Sequence, residues 1–316
     1  MTTKQIDMNC ILCNSDKVKV LEEIESSILK EIYEQKTIKV GHFFKSEKLN
    51  LCECQSCDLL YFAPPAVGDG AFYGELQQKI HGYYLKEKED FVMAAKHIKQ
   101  GESVLEIGCG EGNFTNYIKT DNYVGLEFNE DAIAVAQKKG LNVIKQSIED
   151  FAKENPEKYD VACYFQVLEH VPEPNEFITE SLKCLKKGGK LIFAVPSEDT
   201  FLRHGVNLFL NAPPHHITRW RDTVFTKMQK SFPIKLKGIF HENLHQIHRV
   251  FYLQCTIYNS LRGLLGIPFK NFVRNNDKSY TLFKVSYLLS KIFSPIYFLF
   301  KKDAIGQSVI VVYEKE

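Results

Sequence analysis

Apolar and polar positions change period along this chain, and the changes mark out its elements. Short apolar runs at Ser103–Ile107, Tyr123–Leu126, Asn142–Ile144 and Asp160–Phe165 read as strands. Helical spacing predicts helices from Glu130 to Lys139, from Asn175 to Leu185, and over 84–99, "YLKEKEDFVMAAKHIK", where a charged face opposes an apolar one. "KKGGKLIFAVP" is a glycine turn into a strand closed by Pro196, and "SVIVVYEK" (Ser308–Lys315) is a last strand. Strands alternating with helices predict βαβ units and a parallel sheet covered on both faces.

Two stretches lie outside that alternation. The first segment ends in "APPAVGDG", a Pro/Gly linker signal, which suggests a module over 1–75 ahead of a core over 76–240. The remainder, 241–316, reads as a helical insertion followed by the strand that completes the sheet. Within it "YTLFKVSYLLSKIFSPIYFLF" is strongly apolar, but Lys284, Lys291 and Pro295 interrupt it. A membrane span needs about 20 apolar residues with few charges, so a transmembrane helix is rejected. Two readings stay open: an insertion packed on its own domain, or a membrane-surface helix flanked by Lys and Arg.

A 44% apolar share in 316 residues describes a folded, soluble globular chain. The net charge of +1 conceals an asymmetry. Residues 1–200 hold 33 acids against 23 lysines, whereas residues 201–316 hold 17 basic residues against 6 acids. All six arginines (Arg203, Arg219, Arg221, Arg249, Arg262, Arg274) fall in that last third, where they are either solvated or meet an anion such as a phosphate. No basic stretch followed by an apolar one opens the chain, so its nine cysteines are read as thiols or metal ligands in a reducing cytoplasm.

The loop "SVLEIGCGEGNF" places Gly108, Gly110 and Gly112 after a predicted strand. A dinucleotide fingerprint would need a third glycine at position 113, which is Asn113. Glu106 ahead of the loop disfavours a pyrophosphate and suits an ammonium group. Glu127 ends the next strand, where a carboxylate can accept ribose hydroxyls. These residues, with "YVGLEFNEDAIAVA", "KQSIEDF", "YDVACYFQVLEHVPEP" and "LKKGGKLIFAVP", resemble the successive motifs of class I S-adenosylmethionine-dependent methyltransferases over about 84–200. The resemblance implies an α/β, Rossmann-like seven-stranded sheet with an antiparallel last strand. It further implies that Glu106 serves the methionine amino group, that Gly108, Cys109 and Gly110 form the cofactor loop, and that Glu127 holds the ribose. Phe128 would pack on the adenine, Ser147 and Ile148 would flank it, and Gln166 would face the methionine moiety. Cys109 itself reads as a space-filling residue rather than a nucleophile.

"CILC" (Cys10, Cys13) and "CQSC" (Cys54, Cys57) are two C-x-x-C pairs, and four thiolates make a closed structural zinc site. Cys52 competes with Cys54 as a ligand. The cysteine segment with "DLLYFAPP" resembles the zinc-binding N-terminal segment of bacterial methyltransferases of glycan and sugar pathways. Its acidic balance argues against nucleic acid, whose binding draws on phosphate neutralisation.

For the acceptor side, "NAPPHHITRW" offers His215 and His216 as candidate general bases. Adjacent residues in an extended loop point opposite ways, so one of the two is expected to act. "VLEHVPEP" offers Glu169 and His170 beside the cofactor, with His170 a third catalytic candidate or a structural residue of the cofactor shell. "HENLHQIH" matches H-E-x-x-H literally but follows a predicted strand, which disfavours a metal there. Tyr83 and Tyr84 are placed to cover the cofactor or to pack. The expectation is methyl transfer to a hydroxyl of a phosphate-bearing sugar or glycan precursor, nucleotide- or lipid-linked. C-methylation of a keto-sugar, N- or O-methylation of a small metabolite, and an inactive interaction module are its rivals.

Overall fold

The computed structural model describes residues 9–80, 89–300 and 303–316. The predicted helix over 84–99 begins outside these residues, as do Tyr83 and Tyr84; its described part is Glu89–Ala95.

Eleven strands are described: β1 (Val18–Glu25), β2 (Lys48–Cys54), β3 (Leu60–Ala63), β4 (Val104–Ile107), β5 (Tyr123–Leu126), β6 (Val143–Ile144), β7 (Tyr159–Phe165), β8 (Leu185–Pro196), β9 (Thr218–Arg219), β10 (Ile234–Asn243) and β11 (Ile305–Lys315). The helices are α1 (Ser26–Glu34), α2 (Gly70–Lys79), α3 (Glu89–Ala95), α4 (Glu130–Lys138), α5 (Ile148–Glu154), α6 (Pro174–Cys184), α7 (Asp222–Met228), α8 (Arg249–Leu264) and α9 (Lys278–Phe300).

Seven strands form one sheet in the order β10-β11-β8-β7-β4-β5-β6. β4 through β8 pair in parallel, while β11 runs antiparallel to both β8 and β10. The alternation predicted the parallel α/β sheet, and the seven strands with a reversed last one are what the resemblance implied. Central strands such as Val104–Ile107 are buried throughout, as a sheet covered on both faces requires. Strand order reverses between β4 and β7. That switch point opens a crevice beyond their C-terminal ends, where the glycine loop and Gln166 lie.

The segment after the glycine loop is a 3₁₀ turn, Asn113–Tyr117, rather than a full α-helix. Gly112 at φ 71 sets its start, and the chain reaches Tyr123 only a few residues on.

A second sheet, β1-β2-β3-β9, carries the cysteine segment. Its last strand comes from "NAPPHHITRW", far along the chain: Leu60 pairs with Arg219 and Tyr61 with Thr218. The same segment touches the larger sheet, through Ile217 N–H donating to Glu169 O at 2.9 Å and a bridge between Ser197 and Trp220. Trp220 is fully buried and stacks on Phe225. The strap therefore belongs to both layers, and its apolar residues join their cores. Helices α8 and α9 pack on each other between β10 and β11.

Candidate functional site

The crevice floor is the glycine loop. Gly108 adopts φ +71, and a Cβ there would come within 2.7 Å of Val167 Cγ2, so only glycine lets the loop close on the turn after β7. Gly110 follows at φ +55 and donates its N–H to Glu127 Oε2 at 2.8 Å. Glu127 Oε1 accepts from Phe128 N at 2.7 Å and Asn129 N at 2.9 Å. A carboxylate offers about four acceptor sites. Three are filled, so Glu127 can take one ribose hydroxyl directly and a second only when the Gly110 bond opens. Phe128 beside it is 66% exposed, a large apolar ring left at the crevice mouth.

Glu106 is buried at the end of β4 and accepts from Tyr123 Oη at 2.5 Å. Burial and the Glu106 charge hold the Tyr123 phenol well above its ordinary pKa, so it stays a donor. Tyr123 was not singled out from the sequence, although its place at the start of β5 sets it beside Glu106. Cys109 turns inward: a Cβ on Gly125 would meet its Sγ at 2.5 Å, and burial pushes its thiol up. Only its backbone is left to face a cofactor. Ser147 caps α5, its Oγ accepting from Asp150 N at 3.2 Å, and Ile148 sends its side chain into the core. Of this pair, Ser147 alone offers a side chain near the surface.

Gln166 holds φ 58 at the end of β7, a left-handed conformation that non-glycine residues seldom adopt. Its Nε2 donates to Asp90 Oδ2 at 3.0 Å and Ser308 Oγ at 2.7 Å. Gln166 is thus tied to α3 and β11 at the crevice wall. Glu242 stands nearby, accepting from the N–H groups of Gln307 and Ser308, and burial together with the Asp90 charge raises its carboxyl to about 7. Asp90 carried no sequence signal, following the charged run KEKE, and Glu242 entered only as the Glu of the H-E-x-x-H match, not as a residue of this crevice.

Three histidines, all expected from the sequence to serve the acceptor, come together. His170, His215 and His216 each place a ring nitrogen within 4.8 Å of the others. The loop is not extended, contrary to the expectation that adjacent histidines diverge. His215 and His216 N–H groups both bond Ala212 O, which turns the chain, and the two rings stack at 4.3 Å. His170 Nδ1 lies 2.6 Å from His215 O, His215 Nδ1 2.8 Å from Leu210 O, and His216 Nδ1 3.2 Å from Asn211 Oδ1. These partners are oxygens that accept, so each Nδ1 carries the proton and each Nε2 keeps its lone pair. Glu169, 1% exposed, sits 3.9 Å from His170 Nε2 and 3.8 Å from His216 Nε2. Burial lowers His170 to about 4 and drives His215 and His216 well below their ordinary value. All three are neutral at pH 7. Tyr73, with Oη 3.2 Å from His170 Nδ1, completes the cluster from α2.

The other histidine motif does not assemble. His241 and Glu242 are neighbours on β10 and face opposite sides, as strand alternation dictates. His241 Nε2 meets Asp222 Oδ2 at 2.9 Å, while Glu242 turns to β11.

The four cysteines of the two pairs do converge. Cys10 Sγ lies 3.6 Å from Cys57 Sγ and Cys13 Sγ 3.5 Å from Cys54 Sγ, and all four are within 4.8 Å of one another. Zn–S bonds of about 2.3 Å in a tetrahedron give edges of about 3.8 Å, so the cluster fits that ion. Leu12 N donates to Cys10 Sγ, and Ser56 N and Cys57 N donate to Cys54 Sγ. Asn14 and Asp58, the residues after each pair, take φ 57 and φ 66 and close matching turns onto Cys10 O and Cys54 O. Asn and Asp tolerate that conformation. Cys52 points elsewhere, toward Asn50 O at 3.8 Å.

A family model described as a methyltransferase domain matches residues 77–243, more than half of the chain. The chain belongs to the methyltransferase-domain family. Among curated proteins, the ubiquinone biosynthesis O-methyltransferase of Vibrio atlanticus is 35% identical over 102 residues, covering 30% of this chain and 43% of that protein. The enzyme of the same name from Pseudomonas savastanoi pv. phaseolicola is 33% identical over 126 residues, 36% of this chain and 54% of that protein. The chain thus spans about half the length of the curated relatives it matches. They are not enzymes of sugar pathways, which the N-terminal segment had suggested. A solved SAM-dependent methyltransferase from Archaeoglobus fulgidus aligns with TM-score 0.45 at 16% identity, covering 78% of this methyltransferase and 100% of that chain.

Proposed function

We propose that this methyltransferase transfers a methyl group from S-adenosylmethionine to a hydroxyl oxygen, in our reading that of a sugar or glycan precursor. The donor side rests on the switch-point crevice, with Glu127 at its rim and Glu106 buried below the glycine loop. Glu106, Glu127, Phe128 and Gln166 would hold the cofactor, which supplies a methyl group on a sulfonium and needs no further activation. The four-cysteine cluster would hold a structural zinc ion with no open position for catalysis.

The observation that carries the acceptor reading is Glu169 between His170 and His216. An alcohol must lose its proton as it attacks, and a positioned histidine contributes about 10²–10⁴-fold to such a step. At 20% side-chain exposure against 11% for His216, and with His215 buried at 5%, His170 is the most open of the three imidazoles. It receives the hydroxyl proton at Nε2, and the Glu169 carboxylate stabilises the imidazolium that results. His215 and His216 orient the ring through the His215 carbonyl and the stacked pair. The O-methyltransferase relatives support oxygen as the acceptor atom. The cysteine segment, resembling those ahead of sugar-pathway enzymes, supports the sugar.

Labelled methyl transfer into extract fractions, with mass analysis of the product, tests the reading. Label in nucleotide- or lipid-linked sugars, as a methyl ether, supports it. Label confined to phenolic lipids overturns the sugar while leaving the donor and the acceptor atom standing.

A further inference from the structure

Helix α9 is long and apolar enough to cross a membrane by length and composition, and only 17% of its most apolar stretch is buried inside the protein. Its two ends rule out a crossing. Ahead of it, Arg274 pairs with Glu25 and Asn275 bonds Glu31, both on the cysteine-bearing module. Beyond it, Ile305 pairs with Asn243 in the large sheet. A 23-residue helix is about 34 Å long, and with both ends tied to one folded body it lies along the surface.

The outward face is a single stripe. Val285, Leu288, Ile292, Ile296 and Leu299 are all exposed, Leu288 by 60% and Ile292 by 66%. At 100° per residue they fall within an arc of about 80°. On one flank stand Lys284 and Lys291, their ammonium groups 4.2 Å and 4.6 Å from the ring centres of Tyr280 and Tyr287. Long cationic side chains over tyrosines suit the level of lipid headgroups. On the other flank a groove of about 410 Å³ separates α9 from α8, lined chiefly by Leu253, Ile257, Leu261, Leu289, Phe293 and Tyr297. Between Arg249 and Leu299 seven lysines and arginines stand against one acid, Asp277, and with Arg274 set aside for its pair with Glu25 six cations remain. An apolar stripe this large on a soluble surface marks an interaction site, and the charge around it selects an anionic partner.

We infer that α8 and α9 seat this protein on an anionic lipid bilayer, with the α9 stripe at the level of the acyl chains and the groove taking one chain. The two helices leave the sheet at the C-terminal end of β10, the edge where the crevice opens. Docking there brings the crevice beside the membrane. The inference is independent of the acceptor, because binding is read without methyl transfer.

Co-sedimentation with vesicles of phosphatidylglycerol and phosphatidylethanolamine, against pure phosphatidylcholine, is the test. The full chain is expected to pellet with the anionic vesicles and to stay in solution with the neutral ones. The double variant Leu288→Glu, Ile292→Glu should lose at least about tenfold in partitioning while keeping its cofactor affinity, which shows that it is folded. No pelleting with anionic vesicles overturns the inference, and so does equal pelleting with neutral ones. A concentration-dependent dimer abolished by the same variant, without vesicle binding, assigns the stripe to a second copy and overturns it too.

Discussion

Glu169 is the residue on which the proposed acceptor chemistry turns. It is held within the turn after β7, flanked by two imidazoles whose second nitrogens are fixed by oxygen acceptors. Glu169→Gln keeps the shape and removes the charge that would stabilise an imidazolium. The expected outcome is a fall of about 10²-fold in kcat with unchanged cofactor affinity, and a pH–rate profile whose acid limb moves. An unchanged profile would assign Glu169 to packing alone. The same cluster makes the protein sensitive to acid. His170 is lowered from 6.5 to about 4 by burial, and outside the cluster His204, which ends the 3₁₀ turn Phe201–His204, is lowered likewise, so the unfolded chain binds protons that the folded one refuses. Stability is therefore full above pH 6.5 and is lost progressively as pH falls towards 4. For His170 alone the loss is about 3 kcal/mol. Urea midpoints measured between pH 7.5 and pH 4.5 should fall, and a flat series would contradict neutral burial of these rings.

At the scale of elements, the cysteine cluster and the strap are one device. Cys54 closes β2 and Cys57 follows it, while β3 behind them pairs with β9 of the histidine strap. Cys54→Ser should abolish binding of one zinc ion per chain, lower the melting temperature and reduce methyl transfer, whereas Cys52→Ser should retain the metal. Metal analysis with thermal melts on both variants checks this; equal loss in both would return Cys52 to the ligand set. Much of this level was legible in the sequence. The apolar runs of β4, β5 and β7 and the helical period of α4 and α6 sit within a residue or two of their expected bounds, because buried parallel strands and amphipathic helices have strong local signatures. The two-residue β9 was not legible, since its partner Tyr61 lies more than 150 residues away. The stacked His215 and His216 were misjudged for a related reason: both bond back to Ala212, and a turn in a loop leaves no period to read. Asn14 and Asp58, by contrast, were a readable mark of two matching turns that the cysteine spacing overshadowed.

Across the whole molecule, the acidic first part and the basic last part meet at several ion pairs. Arg221 pairs with Glu53, Lys227 with Asp58, Arg274 with Glu25, and Arg219 lies 3.7 Å from Glu198. Arginines that the sequence offered for an external phosphate are thus in part committed to internal carboxylates, and the basic surface that remains is concentrated on α8, α9 and their connection. Among the described residues the glycine loop, the histidine cluster and the α8–α9 edge border the switch-point crevice. We propose that this crevice binds S-adenosylmethionine. Calorimetric titration of the full chain with that cofactor is the most direct measurement. The predicted result is one site of roughly micromolar affinity, weakened at least about tenfold in a folded Glu127→Ala variant through the lost ribose hydrogen bond. No detectable binding to the folded wild-type protein would contradict the account.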